Sequence, residues 1–199
     1  MFADTQILKT LIKGAWKGSG LHIEHTKTGW FAVGGLWWQF EIGDQEMDNK
    51  IKAQIVELIG DLPEPGEAAV YYKKGDPQIQ MPGTIYRNLM GEWYKREKEY
   101  WISNVILRTA NDYVAVLEGK EGYVLVPNWV ANLVQGEPDP DEHVQPVAKA
   151  EERGNNVIWT SNKIAIEIIT CNPDYAGENA FLEGVKGLDL TWEFKRDDE

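Results

Sequence analysis

Trp101–Gly136 reads WISNVILRTANDYVAVLEGKEGYVLVPNWVANLVQG, and this stretch decides the fold class. Three runs rich in β-branched and aromatic residues, Trp101–Thr109, Tyr113–Glu118 and Tyr123–Val126, are separated by Ala110-Asn111-Asp112 and Gly119-Lys120-Glu121-Gly122. Such runs punctuated by turn residues predict strands joined by tight turns. Pro127-Asn128 then opens a helix in which Trp129, Val130, Leu133 and Val134 share one face, with Gly136 as its stop.

A fainter copy lies upstream. Leu21–Val33 laid over Asn104–Val116 matches at Ile23/Ile106, Thr26/Thr109, Ala32/Ala115 and Val33/Val116. Around that copy, Thr5–Trp16 predicts an amphipathic helix capped by Asp4 or Thr5, and Leu21–Thr26 with Trp30–Val33 a hairpin. Leu36–Ile42 alternates cleanly: Leu36, Trp38, Phe40 and Ile42 toward a core, Trp37, Gln39 and Glu41 on a polar face. Asp48–Ile59 predicts a helix with Ile51, Ile55, Leu58 and Ile59 on its stripe, and Ala68–Lys73 another strand. Both copies thus run through three strands, a helix and a Pro/Glu-rich break (63–66 and 136–140).

The expected architecture is α+β, with two similar halves (1–82 and 83–199) that pack separately or as one domain. Each half is a mainly antiparallel sheet with one packed helix, and internal duplication is one origin for the pair. Gly75–Gly91, broken by Pro77, Pro82 and Gly83, reads as the connecting loop. Further on, Val157–Thr160 and Lys163–Thr170 predict a hairpin, and Leu188–Phe194 a last strand.

The formal charge is −12, unevenly spread. Residues 1–66 hold six basic and nine acidic side chains, residues 67–108 seven and five, and residues 109–199 seven and eighteen. An acidic balance argues against direct nucleic-acid binding, which needs Lys and Arg to release counterions. Met1-Phe2-Ala3-Asp4 lacks the basic start and apolar run of a signal peptide, no apolar run reaches membrane-spanning length, and Cys171 is the sole cysteine. Together these predict a cytoplasmic protein with no disulfide and no Cys-based zinc site.

No motif fixes a catalytic centre. In His22-Ile23-Glu24-His25 the two histidines fall on opposite faces of a strand, and the spacing is not that of a helical metal pair. Gly18-Ser19-Gly20 lacks the context of a phosphate loop or a nucleophile elbow. The acidic stretch 137–143 lacks the glycine and terminal ligand of a calcium loop. No catalytic residue, metal or cofactor is assigned.

The first functional expectation is a non-catalytic binding protein, an accessory or phage-type inhibitor acting on a nucleic-acid enzyme. Its partner would present a basic surface to Asp139, Asp141 and Glu142, with Trp37 on the polar strand face as an aromatic contact. The alternative is a pocket between the halves for a small nucleotide-like anion. Arg87, Trp93, Tyr94, Lys95 and Arg96 would line it, rings stacking a base and cations meeting phosphate.

Overall fold

The computed structural model describes residues 3–108, 113–120, 122–134, 147–151, 155–161, 164–171 and 182–184. Helix α1 (Thr5–Lys17) starts where expected because the Asp4 carboxylate accepts the N–H groups of Gln6 and Ile7 at 2.9 and 2.8 Å. It buries Leu8, Ile12 and Ala15. Strands β1 (Leu21–His25), β2 (Trp30–Gly34) and β3 (Trp38–Gly43) form a meander, followed by α2 (Asn49–Ile59), β4 (Glu67–Tyr71) and the short β5 (Gln78–Gln80). Next come α3 (Leu89–Lys95), β6 (Lys98–Arg108), β7 (Tyr113–Gly119), β8 (Gly122–Pro127) and α4 (Trp129–Leu133). β9 (Ala148–Ala150), β10 (Asn156–Thr160) and β11 (Ile164–Ile169) complete the sheet.

The class is α+β, a large antiparallel sheet with few helices. Among the described residues all strands join one eleven-stranded sheet in the order β5-β4-β1-β2-β3-β11-β10-β9-β6-β7-β8, and every pairing is antiparallel. The expectation of one sheet per half is corrected here. The β10–β11 hairpin lays β11 against β3 from Ile164↔Ile42 to Ile168↔Trp38, so the sheet is continuous across the seam.

Helices α1, α2 and α4 cover one face, where Leu21, Ile23, Phe31, Val33, Phe40, Leu117, Val126, Trp159 and Ile166 form the main core. The other face is covered at its centre by the segment from Gly83 through α3, whose Ile85 packs on Ala32 and Ala68 and whose Leu89 packs on Ile158 and Ala165. Strand β5 stays short because Pro77 and Pro82 flank it, and proline cannot donate to a ladder.

The residue matches between the two meanders do not coincide in space. Ile23 pairs with Val33 and both lie in the main core, whereas Ile106 pairs with Ala115 and is 53% exposed. The pair that shares both the core face and the cross-strand relation of Ile23 and Val33 is Ile102 and Leu117. A register error of one residue moves a whole strand to the opposite face, and the irregularity between Ile102 and Ile106 adds to the shift.

The turn from α1 into β1 depends on Gly20, which has φ +105° and lies so close to β4 that a Cβ would stand 2.6 Å from Val70 Cγ1. Gly20→Ala should therefore cost about 2–3 kcal/mol in urea unfolding, from positive φ plus overpacking. Gly29→Ala, at φ +81° in open space, should cost only about 1 kcal/mol. Equal losses would contradict the packing part of this account.

Candidate functional site

The second sheet face carries carboxylates at strand positions that the alternation makes polar, yet Glu24, Glu41 and Glu167 are all buried. Register explains how they come together. Ala68, Glu24, Ala32, Glu41 and Ala165 are successive cross-strand neighbours along β4, β1, β2, β3 and β11. Three alanines in that row leave a shallow trough, and two strand spacings, about 10 Å, separate the backbone positions of Glu24 and Glu41.

The 83–89 connector lies in the trough and donates its backbone N–H groups downward. Glu24 accepts from Gly83 at 2.6 Å and from Ile85 and Tyr86 at 2.9 Å each. Glu41 accepts from Arg87 and Leu89, both at 2.7 Å, and Gln39 Nε2 bridges Glu41 to the Ile85 carbonyl at 3.0 Å. The Arg87 guanidinium then ion-pairs with Glu167 on β11. The connector thus straps β1, β3 and β11 together across the seam. An extended backbone with no ladder of its own must find acceptors when buried, and the carboxylates supply them.

Burial pushes the Glu41 carboxyl above its ordinary value, against the lowering effect of its bonds from Arg87, Leu89 and Gln39. The folded chain therefore holds this proton more tightly than the unfolded chain. Stability from this group is fully present below the ordinary carboxylate value, about 4.3, and is lost as pH rises through the folded value. The stability of the parent relative to Glu41→Gln should fall across that window and then level. An NMR titration midpoint for Glu41 below the ordinary value would contradict this.

The residues expected to line an anion pocket do not converge on open space. Arg96 is 8% exposed, and its Nη1 donates to Asn156 Oδ1 at 2.9 Å and the Lys149 carbonyl at 3.3 Å. Its Nη2 lies 3.2 Å from Glu151 and 3.8 Å from Glu167. Arg87 is held by Glu167, and Lys95 pairs with Glu92 one turn away at 2.7 Å. Trp93 donates its Nε1 to the Val147 carbonyl at 3.3 Å and lies under Lys149, while Tyr94 stands 70% exposed beside it. Both arginines are engaged by protein acceptors.

Trp37 is 57% exposed at the tip of the β2–β3 hairpin. Leu36, expected in the core, is 56% exposed beside it, because β3 begins only at Trp38 and Gly35–Trp37 forms the turn. The tip is held firmly: Gly35 N–H donates to the Trp38 carbonyl at 2.9 Å, and Ile169 N–H to the Trp37 carbonyl at 3.0 Å. Ile169, itself partly exposed, extends the apolar patch. Asp139, Asp141 and Glu142 lie outside the described residues, as does 188–194.

His22 and His25 point to opposite faces, as the strand alternation predicts. His25 stacks on Phe31 at 4.0 Å and its Nδ1 lies 2.9 Å from the Pro63 carbonyl, while burial lowers the His22 pKa. Among the described residues no cluster of His, Cys, Asp and Glu is arranged to hold a metal, and no helix is long and apolar enough to cross a membrane.

The fold and this surface define an antiparallel α+β protein with a strapped sheet and an exposed aromatic tip. No family model matches the sequence, and no curated protein does. Among solved structures it is similar to a DNA polymerase III beta subunit from Eubacterium rectale, at 9% identity and TM-score 0.40 over 90% of this chain and 66% of that one. It is also similar to the Helicobacter pylori beta clamp, at 9% identity and TM-score 0.39 over 89% and 66%. The beta subunit of Streptococcus pyogenes DNA polymerase gives 10% and 0.38 over 87% and 64%. The chain spans about two thirds of the length of these proteins, and scores of this size do not define a shared fold.

Proposed function

We propose that this chain is a non-catalytic binding protein that docks on another protein, as an accessory or inhibitor of a nucleic-acid enzyme in the cytoplasm. The observation that supports it is the Leu36-Trp37-Ile169 patch, a large aromatic exposed on a tip fixed by backbone hydrogen bonds. Pre-organised Trp side chains lose little entropy on binding and dominate many interfaces. The surplus of acid gives the partner its character. A basic surface would meet Asp139, Asp141 and Glu142 while an apolar pocket receives Trp37.

The two-half organisation belongs to the same reading. The order β4-β1-β2-β3 recurs as β9-β6-β7-β8, with α2 and α4 each following the third strand of its meander. That recurrence supports a duplicated unit, strapped across its seam by the 83–89 connector so that the patch is held on a rigid sheet.

Affinity capture from a bacterial lysate at low and high salt tests the docking. The expected result is a protein retained at low salt and released as salt rises, since interfacial charge pairs are screened. Retention of no salt-sensitive protein would contradict it.

A further inference from the structure

The apolar tip continues a ladder whose inner rungs lie under the connector. Along β3 and β11 the pairs Glu41↔Ala165 and Gln39↔Glu167 share the face opposite the main core, and the Ile169 N–H bond to the Trp37 carbonyl extends the same register to the next rung on that face. Successive rungs on one face stand about 7 Å apart. Strand β10 widens the ladder, with Ile158 beside Glu167 and Asn156 beside Ile169. Helix α3 lies over β10 and β11, and an arginine flanks each of its ends. Arg87, before the helix, ion-pairs with Glu167. Arg96, at its end, places Nη2 3.8 Å from the same carboxylate and donates from Nη1 to Asn156 Oδ1 at 2.9 Å. Glu167 is thus held between two guanidinium groups, one rung inside Trp37 and Ile169. The grip is incomplete at one end, because Arg96 Nε is buried with no acceptor among the described residues. A buried donor without a partner disfavours the closed arrangement.

We propose that α3 is a latch on the docking tip, with Arg87 as its positioning residue. Closed, with both arginines on Glu167, it fixes the Trp37–Ile169 rung in the arrangement that docks; opened, it frees that rung and docking weakens. The consequence for docking rests on the reading above, since the latch regulates that same patch. The two ends differ in a way that says which one opens. The Arg87 side chain is 47% exposed, whereas Arg96 is 8% exposed, so solvent and solutes reach the Arg87 end first. With Arg87 withdrawn, Glu167, 5% exposed, keeps Arg96 only at 3.8 Å. A buried carboxylate short of a partner must gain water or another donor, which requires the strand that carries it to move. That strand is β11, and its next residue on this face is Ile169. The backbone bonds of Arg87 and Leu89 to Glu41 act as the pivot, and the bonds of Gly83, Ile85 and Tyr86 to Glu24 are a separate anchor that opening leaves in place.

Amide exchange and NMR on the free full chain separate the latch from docking. Arg87→Met should accelerate exchange of the Ile169 amide by about tenfold or more and shift the Trp37 indole resonance, while β2 and β7 stay protected as in the parent. Arg87→Lys, which restores the charge, should recover most of that protection. Glu24→Ala removes the separate anchor and loses more stability, yet Ile169 should exchange within about twofold of the parent rate. Capture from a bacterial lysate at low salt then reads the consequence: Arg87→Met should retain about threefold less, or lower still, of the protein that the parent retains. An unchanged Ile169 rate in Arg87→Met, an equal acceleration in Glu24→Ala, or full retention by a variant whose tip is loosened would overturn the proposal. A parent that retains nothing sinks the docking reading alone, and the exchange rates still decide whether α3 holds the tip.

Discussion

Glu24→Ala should lose about 3 kcal/mol of stability, a larger loss than any exposed substitution would give. Three connector N–H groups, those of Gly83, Ile85 and Tyr86, rest on this one carboxylate. Removing it leaves donors without acceptors where Ile85 is buried, and an unsatisfied buried donor costs about 1–3 kcal/mol. Glu24→Gln keeps one oxygen but turns an amide donor toward other donors, so it should fall between alanine and the parent. The damage has a location. Amide exchange of Ile85, Tyr86, Arg87 and Leu89 should accelerate first, while the main-core strands β2 and β7 keep their protection until global unfolding. Uniform loss of protection would mean that the connector is not a separate strap.

Trp37→Ala should weaken binding of the protein partner by about thirtyfold or more, the effect of truncating an interface anchor worth about 2 kcal/mol. The fold should barely notice. Trp37 is more than half exposed and its structural bond is made by its backbone carbonyl to Ile169, which alanine retains. Stability and partner affinity therefore separate at this position, and they do so in the opposite sense at Glu24. A variant that loses both together would assign Trp37 to the core.

The antiparallel α+β class was legible because period-two alternation and turn residues recur through Trp101–Gly136, and the three strands and helix there form close to their expected limits. The faces were only half legible. Alternation in Trp38–Gly43 identifies Gln39 and Glu41 as opposite to the core, but not that a later segment covers them. Glu24, Glu41 and Glu167 carry a recoverable signal, since each is the lone acid of its strand; alanines prove to be the cross-strand neighbours of Glu24 and Glu41, and Ile158 and Gln39 those of Glu167. Using that signal requires the register, which a single sequence does not supply. Helix α3 was hidden because its seven residues contain Gly91 and begin after Asn88 at φ +57°. In Glu92–Trp101, basic and aromatic together in sequence, folding turns Arg96 inward to Glu151 and Glu167.

The docking claim is tested most directly by placing a photoreactive benzoylphenylalanine at position 37, irradiating in a bacterial lysate and following adducts by mass spectrometry. The account predicts a protein adduct at position 37 whose yield declines as salt rises, with little adduct from the same probe at the exposed position 73. No protein adduct at position 37, or equal yields at 37 and 73, would contradict it.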